Sequence, residues 1–502
     1  MGNETEWISI VGDVPSRTEP SLRIAVLADS DTRWKWGALT AHRLAPGARL
    51  DGRLLRGRAT PTARQLTEVG VAAAEIGEVT GTEFVRSAGR DRYDVVVLAC
   101  VGGAVQAMLH GLAAAWEGDP EPRRPVVVTG YVGVVYEKLT DGLLLRHGAD
   151  LVLANSPHDA DRFREVYEGV GADADCVTEW ALPFLGDRAG RADRADRHDA
   201  ATRDQVRPFT VVFAAQPSVP ESRADRVYLL RRAVAHARAH PAREVLIKLR
   251  SKPGEHTTHI EELPYQKLAL RLPGGLPPNC RLVYGHMGDV LDRTDLLVTV
   301  SSTAALESLH RGIPTAVLTD LGIREALGNH HFLGSGCLAS WDRLDAGHLP
   351  EADPEWAARQ GVPSDGYESG SGPGYGSGPG YGSGPGSGSG PASGSGPGPS
   401  SGSGEAVFAA ARQRVADLAA RPVLPPLAPY YTAATAPGYL PAVLARHGLD
   451  HRGRPLPGRA GAPREESALR RAGRAALRDA ARGAYRHGVQ RVAPLIRRAG
   501  EL

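Results

Sequence analysis

A short polar segment between two apolar runs carries the strongest chemical signal in the sequence. A predicted strand ends at Val300, and three hydroxyl-bearing residues follow it, Ser301, Ser302 and Thr303. Glu307 lies one helical turn further on. Hydroxyl groups and free backbone N–H groups at the start of a helix can bind an anion. We therefore expect a phosphate site with a ribose contact from Glu307; an ordinary helix cap and a solvated carboxylate are the alternative.

Other loops of the same half of the chain are expected to face this site, because they follow strands of the same predicted sheet. Gln216 follows the first of these strands, and Tyr284 and His286 follow another. Lys248 and Arg250 stand at the end of a third strand and could meet a phosphate, although a solvated charged loop explains them equally well. The candidate phosphate site thus has several polar neighbours.

The first predicted strand of the chain is followed by two carboxylates, Asp29 and Asp31. A metal-binding Asp-x-Asp pair is one interpretation, but the pair lies early in the chain for that motif. A phosphatase nucleophile and acid is a second, but Arg33 stands where that motif has threonine. We prefer a general base that deprotonates an acceptor hydroxyl, with Asp31 the first choice and Asp29 the alternate. A structural cap remains open for Asp29.

Weaker candidates are expected on the same side as these carboxylates, around the acceptor. They follow the ends of apolar runs, where tight strand–helix turns explain the same residue types. No histidine is expected to have a metal-ligand partner at helical spacing with other ligands nearby, so neither a metal nor a cofactor is predicted. The acceptor-side candidates are Lys35, Trp36, Gly102, Gly103 and Tyr131.

Two sets of short apolar runs must position these residues. Continuous runs rich in Val, Ile and Leu are typical of parallel strands buried on both faces. Amphipathic stretches between them predict helices, so the pattern favours an α/β fold with two Rossmann-like domains facing a cleft. The predicted strands are 24–28, 94–99, 125–129, 150–154, 209–214, 245–249, 281–284, 295–300 and 315–318. The predicted helices are 35–44, 104–116, 136–147, 157–167, 222–239, 302–311 and 405–420.

Changes in composition suggest where these domains begin and end. The acceptor is expected on the first domain and the donor on the second. The expected divisions are a polar tail (1–20), the acceptor domain (21–185), a charged linker (186–207), the donor domain (208–345), a second linker (346–404), returning helices (405–450) and a basic tail (451–502).

The second linker contains residues 366–404, of which 34 of 39 are Gly, Ser or Pro. Such a composition cannot build a core and predicts a disordered segment. Replacing it with a shorter Gly/Ser linker should leave the melting temperature and the activity nearly unchanged, because closing a loop costs only about 0.6 kcal/mol per doubling of its length. Scanning fluorimetry tests this, and a large drop in melting temperature would contradict it.

The overall composition excludes several classes of protein. The 502 residues are 42% hydrophobic and 23% charged with a net charge of +2, which does not indicate a specific nucleic-acid partner. No apolar run predicts a membrane span, and the N-terminus has no secretory pattern. The basic tail predicts an amphipathic helix that could lie on an anionic membrane, with a solvated helix or a nucleic-acid-attracted tail as alternatives. We expect a cytoplasmic protein with peripheral membrane contact as an option.

The segment from Ser301 continues to Gly312 and Pro314, and in this form it resembles the donor-binding helix of GT-B glycosyltransferases. It is most similar to those of bacterial capsule and sialyl-type transferases and of related nucleotide-sugar epimerases. The resemblance implies phosphate contacts from the three hydroxyl residues and a ribose or base contact from Glu307. Those transferases carry a His-Pro dipeptide where this chain has Lys248 and its neighbours, so a CMP-sialic acid donor is not implied.

The string ADSDTRWKWG from residue 28 resembles a bacterial family whose glycosyltransferase activity is inferred. We therefore expect a GT-B-type transferase that uses a nucleotide-activated sugar donor in cell-envelope or glycoconjugate synthesis. Its acceptor would be unknown, with a lipid-linked or polymeric molecule as an option. A nucleotide-sugar epimerase or hydrolase, or a non-catalytic nucleotide-binding protein, are the alternatives.

Overall fold

The structure is a computed structural model that describes residues 21–57, 59–117, 124–134, 139–185, 207–252, 263–362 and 406–456. Several expected segments lie outside the described residues. They are the polar tail (1–20), nearly all of the charged linker (186–206), the Gly/Ser/Pro segment (366–404) and the basic tail from residue 457.

Seven parallel strands form the sheet of the first domain, in the order β3-β2-β1-β4-β5-β6-β7. The strands are β1 (Arg23–Ala28), β2 (Arg49–Leu55), β3 (Glu75–Val79), β4 (Val95–Ala99), β5 (Val126–Gly130), β6 (Leu151–Ala154) and β7 (Val177–Glu179). The helices are α1 (Asp31–Leu44), α2 (Ala63–Thr67), α3 (Gly81–Ser87), α4 (Gly102–Trp116), α5 (Leu139–Leu144) and α6 (Pro157–Gly169).

Six parallel strands form the sheet of the second domain, in the order β10-β9-β8-β11-β12-β13. The strands are β8 (Thr210–Ala214), β9 (Glu244–Lys248), β10 (Cys280–Val283), β11 (Leu296–Thr299), β12 (Thr315–Leu318) and β13 (Leu338–Ala339). The helices are α7 (Arg223–Ala239), α8 (Tyr265–Ala269), α9 (Met287–Leu291), α10 (Ala304–His310), α11 (Trp341–Asp345) and α12 (Pro354–Arg359).

Both sheets therefore have the Rossmann strand order, and the predicted pair of Rossmann-like domains is confirmed. In each sheet the direction of winding reverses next to the first strand, between β1 and β4 and between β8 and β11. Ligands of open parallel sheets bind outside the carboxyl ends of the strands at such a reversal. Functional residues are therefore expected directly after these four strands.

Four of the observed strands, β2, β3, β7 and β13, are absent from the strands expected from apolar runs. β2 left no apolar run because it carries charged residues. Arg53 is only 6% exposed and donates to both carboxylate oxygens of Glu75, at 2.8 and 3.0 Å. It also donates to the Tyr93 hydroxyl at 2.8 Å, which in turn donates to Asp51. Paired buried charges can occupy a strand, but they leave no apolar run in the sequence.

The chain returns to the first domain after the second one. Helices α13 (Ala406–Ala420) and α14 (Leu440–Arg446) pack against it, with the Phe408 ring 4.6 Å from that of Trp180. The buried Arg124 is held by Asp150 through two hydrogen bonds of 2.7 Å, and its Nε donates to the carbonyl of Pro425 at 2.8 Å. Among the described helices, none is long and apolar enough to cross a bilayer.

Candidate functional site

A cavity of about 370 Å³ lies between the two domains, at the carboxyl ends of their sheets. Its walls come from the first turns of α1, from α2 and the residues after it, from the loops after β5, β8, β9, β10 and β11, and from α10. The cleft that the strand pattern predicted is therefore present. The ionisable residues that line the cavity are Asp31, Lys35, Glu68, Lys248, Arg250, His286 and Glu307.

Ser301 and Gln216 hydrogen-bond to each other between β8 and β11, where the winding of the second sheet reverses. The Ser301 N–H donates to Gln216 Oε1 at 2.9 Å, and Gln216 Nε2 donates to Ser301 Oγ at 3.2 Å. The buried Ser301 hydroxyl also lies within hydrogen-bond distance of the Leu327 carbonyl. Both residues line the cavity. Their mutual hydrogen bonds also connect the loops after β8 and β11, which is a structural function that was not expected for them.

Ser302 and Thr303 are half-buried and have more freedom than Ser301. Ser302 Oγ accepts from the N–H of Ala304, the first residue of α10, at 3.2 Å. The side chain of Thr303 lies against the backbone at Gly133 in the first domain, since a Cβ added there would stand 2.9 Å from its Oγ1. This residue therefore lies where the two domains meet, inside the cavity wall.

Glu307 lies on the cavity side of α10 and is buried rather than solvated. The side chain is 8% exposed, and Lys35 Nζ of the first domain donates to Glu307 Oε1 at 3.4 Å. Lys35 also lies 4.6 Å from the centre of the Phe184 ring. Lys35, which was expected on the acceptor side, thus also contacts the expected donor residue Glu307 across the cleft, and its contact with an acceptor stays a prediction.

Lys248 ends β9 and is buried at the floor of the cavity, with its Nζ donating to the Leu249 carbonyl at 2.8 Å. Burial lowers the pKa of its ammonium to about 8. Burial likewise lowers the pKa of His286, which also lines the cavity. Tyr284 packs against the core of the second domain and is not among the lining residues, so its expected donor contact is not supported.

Asp29 has a structural position at the reversal point of the first sheet. Its Oδ2 accepts from the Val101 N–H at 2.9 Å, and its Oδ1 accepts from Arg33 at 3.0 Å. The carboxylate therefore ties the loop after β1 to the loop after β4. This corresponds to the structural cap that was one interpretation of Asp29, and Asp29 is not among the lining residues.

Asp31 is the first residue of α1 and not part of a loop, so it is held more firmly than the sequence suggested. Its carboxylate lines the cavity and faces Arg250 of the second domain. Arg250 Nη2 lies 3.0 Å from Asp31 Oδ1 and 3.2 Å from Oδ2, and Nε lies 3.4 Å from Oδ2. Both oxygens of the carboxylate are thus engaged across the cleft.

The remaining acceptor-side expectations are not supported, because none of these residues is among those that line the cavity. Trp36 is fully buried in the core beside Gly130. Gly102 packs where a Cβ would stand 2.7 Å from Leu145. Gly103 faces Val443 of the returning chain. Tyr131 stacks on Arg146 and its hydroxyl donates to the Leu139 carbonyl.

Among the ionisable residues that line the cavity, Glu68 is the one that sequence reasoning missed. It lies at the end of α2, whose first turn is closed by a capping box between Thr62 and Gln65. Gln65 lines the cavity as well. A polar helix of five residues gives no apolar period, but the Thr-x-x-Gln pattern of the capping box was a usable signal for its start.

The expectation about histidine spacing is wrong, because His236 and His240 lie four residues apart with Asp345 within 4.8 Å. Their surroundings nevertheless suit a hydrogen-bond network better than a metal. Arg243, which can only donate, lies 3.4 Å from His236 Nε2, so the ring proton lies on Nδ1 and points to Asp345 at 2.6 Å. A metal-bound histidine would instead need an acceptor at its other nitrogen.

Two Rossmann-like domains whose reversal points face one another across a ligand-sized cleft define a GT-B-like protein. The chain belongs to the family described as "Putative glycosyltransferase (DUF6716)", whose model matches residues 24–369. The resemblance expected from the sequence is thereby confirmed at the level of family and fold. None of the curated proteins searched matches the chain.

Several solved structures have a similar arrangement of domains. Anabaena HepE in complex with UDP-glucose is 13% identical, with a TM-score of 0.41 over 68% of this chain and 93% of that one. The S. aureus MnaA–UDP structure is 11% identical, with a TM-score of 0.42 over 68% and 91%. The Neisseria meningitidis UDP-GlcNAc 2-epimerase bound to UDP-GlcNAc is 10% identical, with a TM-score of 0.42 over 68% and 94%. Likenesses of this order carry no conclusion about what this chain binds.

Proposed function

We propose that this protein is a glycosyltransferase that takes its sugar from a nucleotide-activated donor. The observation that carries the proposal is the cleft itself. Its second-domain wall offers hydroxyl groups, a buried lysine and an arginine to a phosphate, while its first-domain wall offers the Asp31 carboxylate to an acceptor. Membership of a family described as glycosyltransferases supports the same activity.

The proposed reaction joins the anomeric carbon of the donor sugar to an acceptor hydroxyl. The acceptor oxygen attacks that carbon, and its proton moves to the Asp31 carboxylate, which acts as general base. The bond from the anomeric carbon to the phosphate oxygen breaks, and the nucleotide leaves with the electron pair. Positive groups near the phosphate, among them Lys248 and Arg250, stabilise the charge that develops on the leaving group.

The first test is direct binding of nucleotides. Isothermal titration calorimetry with UDP, GDP, ADP, TDP and CMP should show at least one nucleotide that binds and raises the melting temperature, because a ligand that binds only the folded state stabilises it. If no nucleotide of this panel binds or shifts the melting temperature, the proposal of a nucleotide-activated donor is wrong.

Changing Ser302 and Thr303 together to alanine should weaken the binding of that nucleotide while the fold survives. Each lost hydrogen bond to a charged phosphate costs roughly 1.5–3 kcal/mol, so the loss of two should raise the dissociation constant at least about a hundredfold. Calorimetry measures the change. The matched control is Ser340→Ala, which removes a comparable cap from α11 outside the cavity and should leave nucleotide affinity unchanged. Equal affinities of the double variant and the wild type would remove these two residues from the site.

An epimerase or hydrolase of nucleotide sugars is a second candidate, because one observation favours it. Such an enzyme needs additional acid and base groups at the cleft, and Glu68 and His286 both line the cavity. Incubation with nucleotide sugars alone separates the two activities. Conversion or hydrolysis without an acceptor, detected by chromatography and mass spectrometry, would favour the epimerase or hydrolase, whereas a transferase turns over only when an acceptor is added.

A further inference from the structure

Two pairs of charged side chains cross the cleft at the cavity. Arg250 of the second domain holds Asp31 of the first, and Lys35 of the first domain donates to Glu307 of the second. Lys248 is the third cation among the lining residues, and its ammonium donates to the Leu249 carbonyl. Glu68, directly after α2, is the third carboxylate. Three carboxylates and three cations therefore balance in the space where a ligand would bind.

This balance of charges affects how an anion can bind in the cavity. The lysines and arginine that line the described part of the cavity have no surplus of charge over its carboxylates, and a phosphate that binds Lys35 or Arg250 has to compete with the carboxylate already paired with it. Arg250 is the best placed, because a guanidinium presents a planar fork that suits a phosphate as well as a carboxylate. A diphosphate carries more negative charge than Asp31, which favours the exchange in a half-buried setting.

We propose that Arg250 keeps Asp31 paired in the free protein and releases it when the donor phosphates bind the guanidinium. This inference rests on the proposed function and adds a coupling to it. While both oxygens of Asp31 are engaged by Arg250, the carboxylate has a poor geometry for accepting a proton from a hydroxyl. Donor binding therefore makes the base available, and the donor binds before the acceptor becomes reactive.

The proposal predicts that removing the charge of Asp31 increases the affinity for phosphate. This distinguishes it from a function in which Asp31 only orients Arg250. If Asp31 competes with phosphate for Arg250, then Asp31→Asn should tighten the binding of inorganic pyrophosphate, by about tenfold, equal to ~1.4 kcal/mol. If Asp31 instead oriented Arg250 toward the phosphate, the same change would weaken binding. The sign of the change thus separates the two functions.

The experiment is a double-mutant cycle on the full chain, with inorganic pyrophosphate as the probe in titration calorimetry at constant ionic strength. Arg250→Gln should weaken binding by about tenfold or more, because it removes a charged fork from the phosphate. In that background, Asp31→Asn should change affinity by less than about twofold. Melting scans identify folded variants, and Arg250→Met, which also removes the charge, replaces Arg250→Gln if the latter does not fold.

The control is Asp292→Asn, which removes the same charge from an exposed carboxylate of the second domain that does not line the cavity. It should change pyrophosphate affinity by less than about twofold, because exposed charges are screened by salt. Unchanged or weaker binding by Asp31→Asn overturns the proposal, as does the same gain of affinity in the Arg250→Gln background. A wild-type protein that does not bind pyrophosphate overturns this proposal and the proposed donor site together, whereas binding without coupling overturns only the coupling.

Discussion

Replacing Asp31 with asparagine should lower the turnover of glycosyl transfer by about 10²–10⁴-fold, the usual contribution of a general base. Asparagine keeps the shape of the side chain but cannot take the acceptor proton. Donor affinity should not fall, because the expected donor contacts lie in the second domain. Steady-state kinetics with saturating donor, together with calorimetry of the free nucleotide, measures the two effects separately.

The control for this variant is Asp29→Asn, which places the same change two residues away. Asp29 holds the Val101 N–H and Arg33 rather than lining the cavity, so its replacement should act on stability more than on turnover at saturating substrates. Full activity in both variants would remove the general base from this part of the chain. A strong requirement for a divalent metal that either variant abolishes would favour a metal-binding function for the two carboxylates.

Replacing Arg124 with methionine should destabilise the first domain by about 3–5 kcal/mol, which is what removing one partner of a buried ion pair costs. The Arg124 and Asp150 side chains are 6% and 11% exposed, and two short hydrogen bonds join them. Without the guanidinium, Asp150 keeps the Val127 N–H but loses its counter-charge. The carbonyl of Pro425 in the returning chain also loses its donor.

Urea unfolding followed by circular dichroism measures this change through the midpoint of the transition of the first domain. The matched control is Arg281→Met, which breaks an exposed pair with Glu244 in the second domain. That pair should contribute no more than about 1 kcal/mol, because exposed ion pairs are screened and lose side-chain entropy. Equal losses of stability in the two variants would show that the buried ion pair stabilises the protein no more than the exposed one.

The sequence alone was sufficient for the strands at the centre of each sheet. Runs such as Val95–Ala99 and Leu296–Thr299 are buried on both faces, so they need continuous apolar residues and leave a pattern that can be recognised. Their order along the chain also predicted which loops meet at the carboxyl ends. For that reason Asp31, Lys248 and Glu307 were predicted near the site, and all three line the cavity.

Where the local sequence pattern does not indicate the position of a side chain, the tertiary structure determined it. Trp36 and Lys35 are neighbours in the sequence, yet the turn of α1 buries the first in the core and directs the second to the cleft. β2 pairs with β1 and β3, and its buried Arg53 has its partners on β3 and near β4, which no local pattern records.

The pairing at the centre of the site is likewise a tertiary property. Asp31 and Arg250 are separated by 219 residues in the chain, and their ion pair exists only because the two domains close on each other. A local sequence pattern determines which elements form and in what order, since it records burial residue by residue. Which charges compete for one another across a cleft depends on distances in space, and only the packed domains determine those.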